Sequence, residues 1–452
     1  MSQGEKGGPK VVGRAHGSPT KDFFVRMITR DISLADCILD LLDNSIDGAR
    51  RSIKRTGAQP SSQPLTGYSA TLAIDESKLQ VVDNCGGIAL NDAIDYAFHF
   101  GRRKDAPKDV DYSIGLYGIG MKRAIFKIGR KARIESKAPG EAFSVDVDVD
   151  TWEADDSDWD FDLGHMDPSK ELGTRILIES LYPQIAAAFA DKSFANELIR
   201  TIARDYAFII GKGFSVTVGA VTVPHFDYSL KEGEGVESAI VEYAEDGVRV
   251  RIVAGLMNDL SDEVPEELRP DETDPYGWYV VCNDRVVLAG DKSEMTIWGH
   301  QNYRVWHNQY NGFAGFVFFD SEDPKKLPWT TTKREVDVGD PLYLRAVGRM
   351  KELTDVFVAY TNQRKVDLPA AKKLESATTF VQVSSVPGNA RPMRLPRVAG
   401  AASGVDQTTI SYRKPRIEIK EVAEALGDAS MPAREVGKRT FEYFRREEMG
   451  KS

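Results

Sequence analysis

The sequence predicts an α+β chain: two successive regions that mix helices with strands, then a small helical tail. Three observations carry this. Apolar residues at Leu34, Ile38, Leu41, Leu42 and Ile46 follow helical spacing. Short alternating segments then recur through residues 70–178 and again from Phe214 onward. Helical spacing returns in two pieces, 418–426 and 432–447.

The elements follow in order. Ser33 is a plausible N-cap, so 33–53 reads as one amphipathic helix. Residues 57–67 form a Pro/Ser/Gln loop, and Ala70–Ile74 and Leu79–Val82 read as strands. Asp92–Phe100 is expected to be helical, 101–113 charged and mobile, and Lys122–Ile128 helical again. Arg133–Ser136, Phe143–Val149 and Thr174–Ile178 are expected in one sheet. Phe194–Phe208 is a helix able to join two domains. The second alternating region begins at Phe214–Val223, with strands Val248–Val253, Gly277–Val287 and Gly315–Phe319 and a helix over 341–360. Residues 376–411 are rich in Pro, Gly, Ser and Arg and read as a linker. The domain organisation expected is an arm over 1–22, a first domain over 23–200, a second over 201–375, a linker over 376–415 and a helical segment over 416–452.

The 452 residues have room for about three domains. A hydrophobic fraction of 41% and a charged fraction of 28% fit ordinary globular domains. No apolar run is long enough to span a bilayer, and residues 1–20 are polar and Gly-rich, unlike a signal peptide. Cys37, Cys85 and Cys282 lack paired spacing, which argues against disulfides or zinc and for the cytoplasm. The net charge of -10 argues against general coating of nucleic acid but leaves room for a local basic groove.

Four segments carry chemistry. They are Asp40-Leu-Leu-Asp-Asn44-Ser-Ile-Asp47, Val82-Asp83-Asn-Cys-Gly-Gly87-Ile88, Gly115-Leu-Tyr-Gly118-Ile-Gly120-Met121-Lys122, and Gly173-Thr174. Asp40, Asn44 and Asp47 share one helix face, where a polar row must meet water or a ligand. Asn44 offers a carbonyl oxygen to Mg²⁺, and Asp40, one turn earlier, is placed to polarise an attacking water. Asp83 ends a strand and can accept from an exocyclic amine, with Gly87 and Ile88 beside it. Gly115, Gly118 and Gly120 lead into a helix whose N-terminus favours phosphate, with Met121 and the Lys122 charge in its first turn. Thr174 supplies a hydroxyl able to reach the Asp83 carboxylate through water. Each segment alone also has a bland reading: a solvated helix face, a strand-end turn, a tight glycine turn, a β-branched strand residue. Together they form a set suited to ATP and Mg²⁺.

Over residues 25–180 this set resembles the GHKL ATPases: gyrase B subunits, ninety-kilodalton heat-shock chaperones, sensor histidine kinases and MutL. The resemblance implies a two-layer α/β sandwich of the Bergerat type, with ATP under a movable lid over 89–120. The lid would include Phe100-Gly-Arg-Arg-Lys104, which looks like the microrchidia branch. Two departures stand out. Asp40 occupies a position where hydrolytic members carry glutamate, and Cys85 replaces a glycine. No phosphoacceptor-histidine helix precedes residue 33, which argues against a kinase. Trp278–Val287 resembles a strand of the transducer domain of MutL and gyrase, and Leu327–Val336 resembles the loop that sends a lysine to the terminal phosphate. Lys333 is therefore a candidate sensor. The resemblance implies a slow Mg²⁺-dependent ATPase whose nucleotide state closes the lid and clamps an ATP-dependent homodimer through residues 1–30. A scaffold or chaperone-like switch binding a protein partner through 418–447 is an alternative. So is a nucleic-acid clamp using Arg391, Arg394, Arg397, Arg413, Lys414 and Arg416.

Overall fold

A computed structural model describes Gly13, Gly17 and residues 19–57, 61–101, 111–115, 118–257, 275–386, 388–396 and 413–449. The chain divides into a large compact unit, 1–399, and a small one, 400–452. Most of the expected N-terminal arm, the lid stretch with Arg102 to Lys104, and Arg397 lie outside the described residues.

The large unit opens with α1 (Lys21–Arg30) and α2 (Leu34–Thr56). Ser33 caps α2 as expected, its Oγ accepting from the Asp36 N–H at 3.1 Å. A hairpin follows, β1 (Ser69–Asp75) and β2 (Lys78–Asp83), then α3 (Leu90–Asp92), which runs into a π-helical turn over Ala93–Ala97. The helix predicted for 92–100 is thus shorter and distorted. Next come α4 (Gly120–Ile128), β3 (Gly129–Ala138), β4 (Glu141–Asp148), α5 (Val149–Glu153), β5 (Gly164–His165) and β6 (Gly173–Leu181). Then follow α6 (Pro183–Ala190), α7 (Lys192–Asp205), α8 (Ala207–Gly211), β7 (Ser215–Val218) and β8 (Val221–Thr222).

The first sheet has eight strands in the order β5-β4-β3-β6-β2-β1-β7-β8. Helices α2 and α4 pack together over it. Ile38, Leu42 and Ile46 of α2 meet sheet residues such as Leu72, Val81, Ile134 and Ile178 in one buried cluster. This is the mixed two-layer arrangement that the motif set implies. One expectation is corrected. Residues 214–223 do not open the second region: β7 pairs in parallel with β1, Ser69 opposite Ser215, and extends the first sheet. A short β-branched strand carries no local mark of which sheet it joins.

A second, five-stranded sheet follows, in the order β10-β11-β14-β12-β13. Its strands are β10 (Ala239–Glu245), β11 (Val248–Leu256), β12 (Gly277–Cys282), β13 (Arg285–Asp291) and β14 (Phe313–Ser321). The single strand predicted for 277–287 is a hairpin instead. Asn283 and Asp284 turn it with φ of 47° and 70°, the conformation favoured by tight two-residue hairpins. Helix α9 (Pro341–Arg364) packs on β11 and β14. α10 (Leu368–Ser376) leads to β15 (Thr379–Gln382), which pairs with β9 (Ser229–Glu232). Part of the stretch expected as linker is therefore tied to the body. Arg391 and Arg394 form bridges with Ile240 and Glu237, and the Arg391 guanidinium grips Glu232 at 2.8 Å. The small unit is a pair of helices, α11 (Arg416–Ala425) and α12 (Ala433–Met449), around Ala423, Met431 and Val436.

The β12–β13 turn is bound to the first region. The buried Asn283 amide donates to the carbonyls of Ser113 at 2.9 Å and Ser321 at 3.0 Å, and accepts from the Ser321 N–H at 2.9 Å. Asn283→Ala is expected to destabilise the chain by about 3 kcal/mol, because three buried partners lose their bonds and a left-handed φ passes to a residue that resists it. Urea unfolding followed by circular dichroism measures this; a loss below about 0.5 kcal/mol, the range of ordinary surface changes, would contradict it.

Candidate nucleotide site

Polar residues in the middle of α2 sit at the floor of a cavity of about 650 Å³. The cavity lies between α2, the ends of β2 and β6, the glycines before α4, and the loop carrying Thr331 and Lys333. That size suits a nucleotide. Asp40, Asp43 and Asp47 are buried, whereas Asn44 alone in this stretch is exposed. Its side chain makes no hydrogen bond among the described residues, so its carbonyl oxygen is available to a ligand.

At one end, Asp83 is fixed by the fold around it. Its Oδ1 accepts from the Cys85 N–H at 2.9 Å and the Thr174 N–H at 3.1 Å, and its Oδ2 from the Ser45 hydroxyl at 2.8 Å. Burial pushes the carboxyl above its ordinary range, against those three bonds. Thr174 meets Asp83 through its backbone N–H, and its side chain lines the cavity. Two glycines are demanded by crowding here. A Cβ on Gly87, at φ +69°, would lie 2.3 Å from the Lys137 carbonyl, and one on Gly173 would lie 1.9 Å from the Asp83 carbonyl. Ile88 is held by Ser136, whose Oγ accepts from the Ile88 N–H at 2.7 Å. Cys85 fills the expected glycine position without harm; its carbonyl accepts from the Ser52 hydroxyl at 2.9 Å.

At the other end, α4 begins without a side-chain cap at Ile119, leaving first-turn N–H groups open toward an anion. Gly120 lets this turn approach α2: a Cβ there would sit 3.1 Å from the Asp40 side chain. Met121 and Gly118 line the same space. Asp47 and Lys122 serve the lid's backbone. Asp47 accepts from the N–H groups of Ile114 at 2.9 Å and Gly115 at 2.7 Å. The Lys122 ammonium donates to the carbonyls of Gly118 and, at 2.7 Å, Ala97, so it staples the two ends of the lid. Burial lowers Lys122 to about 7.

The floor holds a charge cluster of which motif reasoning names only Asp40 and Lys333. Lys333 reaches in from the loop closed by the Trp329–Val336 bridge, its Nζ at 3.2 Å from Asp40 and 2.6 Å from Asp43. Arg123, the residue after Lys122, pairs with the other Asp40 oxygen. Arg285, from the start of β13, pairs with Asp43, which also accepts from the Tyr206 hydroxyl at 2.6 Å. Burial works against charge on Asp43, but Arg285 and Lys333 outweigh it and hold the carboxyl below its ordinary range. Burial likewise opposes the Lys333 charge, yet Asp43 and Asp40 hold the ammonium above its usual value. The signals are faint: Asp43 lies one residue off the Asp40/Asn44/Asp47 row, Arg123 follows directly on Lys122, and Arg285 heads a mostly apolar strand.

The arrangement is that of a nucleotide-binding α/β domain: an acid at the base end, glycines and an open helix terminus at the phosphate end, and an oxygen ligand between. Residues 32–173 match the family of histidine kinase-, DNA gyrase B- and HSP90-like ATPases. This segment has the GHKL fold and is an ATP-binding domain. No curated protein matches the chain. Among the described residues, no cluster of three His, Cys, Asp or Glu is placed to hold a metal, and no helix is long and apolar enough to cross a membrane.

Lys122 sets a pH dependence. Its folded value near 7 lies below the ordinary 10.5, so between those limits the unfolded chain binds the extra proton and stability rises with pH. Lys122→Met is expected to remove this rise, so that wild type gains on the variant from pH 7 to pH 9. Urea titrations at both pH values test it; a constant difference would count against the assignment.

Proposed function

We propose that the chain is a slow Mg²⁺-dependent ATPase that uses its nucleotide state as a conformational switch. Asp40 is the water-polarising acid. Asn44 holds Mg²⁺ jointly with phosphate oxygens, the ion neutralising developing charge. Asp83 and Thr174 take the adenine end, and the Gly115–Lys122 segment takes the phosphates. The observation that carries the reading is Lys333. A loop adjoining the second sheet places this ammonium on Asp40 and Asp43 at the cavity floor. A terminal phosphate competing for that ammonium would pull on the second sheet, which is how a transducer domain reports nucleotide.

Slowness has a physical basis. Aspartate is one methylene shorter than glutamate, and both Asp40 oxygens are engaged by cations. A displacement near 1 Å at such a group costs on the order of 10²-fold in rate. On this reading ATP binding closes the lid and brings two copies together through residues 1–30 in the cytoplasm. Nucleic-acid binding has less support, because Arg391 and Arg394 are already paired with Glu232 and Glu237. A protein partner is favoured over it by the exposed Phe441, Tyr443 and Phe444 on α12.

Phosphate release by purified protein checks the chemistry. Asp40→Asn is expected to lower turnover by about 10²-fold, and Asp40→Glu to raise it. Unchanged turnover in Asp40→Asn removes Asp40 from the role of base. Size-exclusion chromatography with a non-hydrolysable ATP analogue checks the clamp: wild type is expected to dimerise and Lys333→Ala to stay monomeric while still binding the analogue. A wild-type monomer under saturating analogue would refute the clamp.

A further inference from the structure

Three cations meet two acids at the cavity floor. Lys333, Arg123 and Arg285 surround Asp40 and Asp43. The neighbouring group is balanced: Arg334 bridges Asp36 and Asp205, and Arg204 pairs with Asp205. One positive charge is therefore left over in a buried place, where an unneutralised charge is costly.

Arg123 is the cation best placed to offer that surplus to a ligand. It is 7% exposed, lines the cavity and sits in the first turn of α4 beside Gly120. One guanidinium nitrogen is on Asp40, while its Nε is buried without a hydrogen-bond partner among the described residues. Arg285 also has an unpaired Nε, but its guanidinium lies over the Tyr206 ring, away from the cavity lining. A planar guanidinium can bind a carboxylate along one edge and a phosphate along another, which a lysine cannot do.

Resting on the nucleotide site described above, we propose that Arg123 is a ligand of the terminal phosphate and makes the site prefer triphosphate to diphosphate. It moves from Asp40 alone to a position shared between Asp40 and the phosphate. This neutralises the surplus charge while the guanidinium keeps its hold on one Asp40 oxygen. The aspartate at position 40 is then the partner of Arg123, its shorter side chain leaving room for the guanidinium.

Calorimetry with Mg²⁺ and either ADP or a non-hydrolysable ATP analogue, on wild type, Arg123→Gln and Arg123→Lys, tests this. The Gln variant is expected to bind the analogue about tenfold or more weakly, with ADP affinity within about threefold of wild type. The Lys variant keeps the charge, guards against a Gln variant that fails to fold, and is expected to show a smaller loss confined to the analogue. Equal weakening of both nucleotides, or no weakening of either, overturns the assignment of Arg123. Wild type that binds neither nucleotide overturns the underlying reading of the cavity, a result distinct from either.

Discussion

Asp43 is the point from which the organisation of the large unit can be followed. It is fully buried in the middle of α2 and touches Lys333, Arg285 and Tyr206, which come from three other parts of the chain. A buried ion cluster contributes little net stability compared with apolar packing, but removing one member costs about 3–5 kcal/mol because a charge is left alone. Its effect is to fix geometry. Through Asp43, the loop carrying Lys333 and the start of β13 are both tied to α2. The same docking brings Asn283 to Ser113 and Arg50 to Asn283 and Asp284, so the lid's C-terminal end is held by the second sheet as well as by α2.

That linkage explains why the lid is anchored where it is. Its two described ends are Ala97–Gly101 and Asp111–Gly115, with Gly118 beyond. Asp47, Arg50, Lys122 and Asn283 each bond backbone atoms there, and none of these is a contact between lid side chains. Phe100 enters an aromatic cluster with Phe24, Trp152 and Trp159, so α1 is joined to the same end. The described residues on either side of 102–110 are thus tied to α2, α4 and the second sheet.

Local order in the sequence accounts for much of this. The α2 boundaries, the strands β1 to β6 and the four motif segments are specified by capping, periodicity and glycine placement, all of which act within a few residues. What local order does not specify is partnership. Nothing near Ser215 indicates that β7 joins β1, and nothing in Trp278–Val287 except Asn283-Asp284 marks a hairpin, since the residues flanking the turn, Arg285 aside, are apolar. Asp47 and Lys122 line the cavity and also bond backbone beside it. That second demand, hydrogen bonding of buried backbone, must be met wherever water is excluded. Asp43, Arg123 and Arg285 escape motif reasoning because a salt bridge between residues 83 or 242 positions apart leaves no spacing to detect.

The surplus charge connects these strands of argument. A floor of two acids and three cations is a poor resting place for the chain by itself and a good one once an anion arrives. On the proposed reading, phosphate binding would gain energy from relieving repulsion among Lys333, Arg123 and Arg285, and this relief would need no long path, because Lys333 and Arg285 already belong to the second sheet's loop and strand. Coupling between sites needs an element whose two arrangements a ligand weighs differently. On the proposed reading that element is the cation set itself: drawn onto Asp40 and Asp43 when the acids are the only anions present, and redistributed were a triphosphate to add its own.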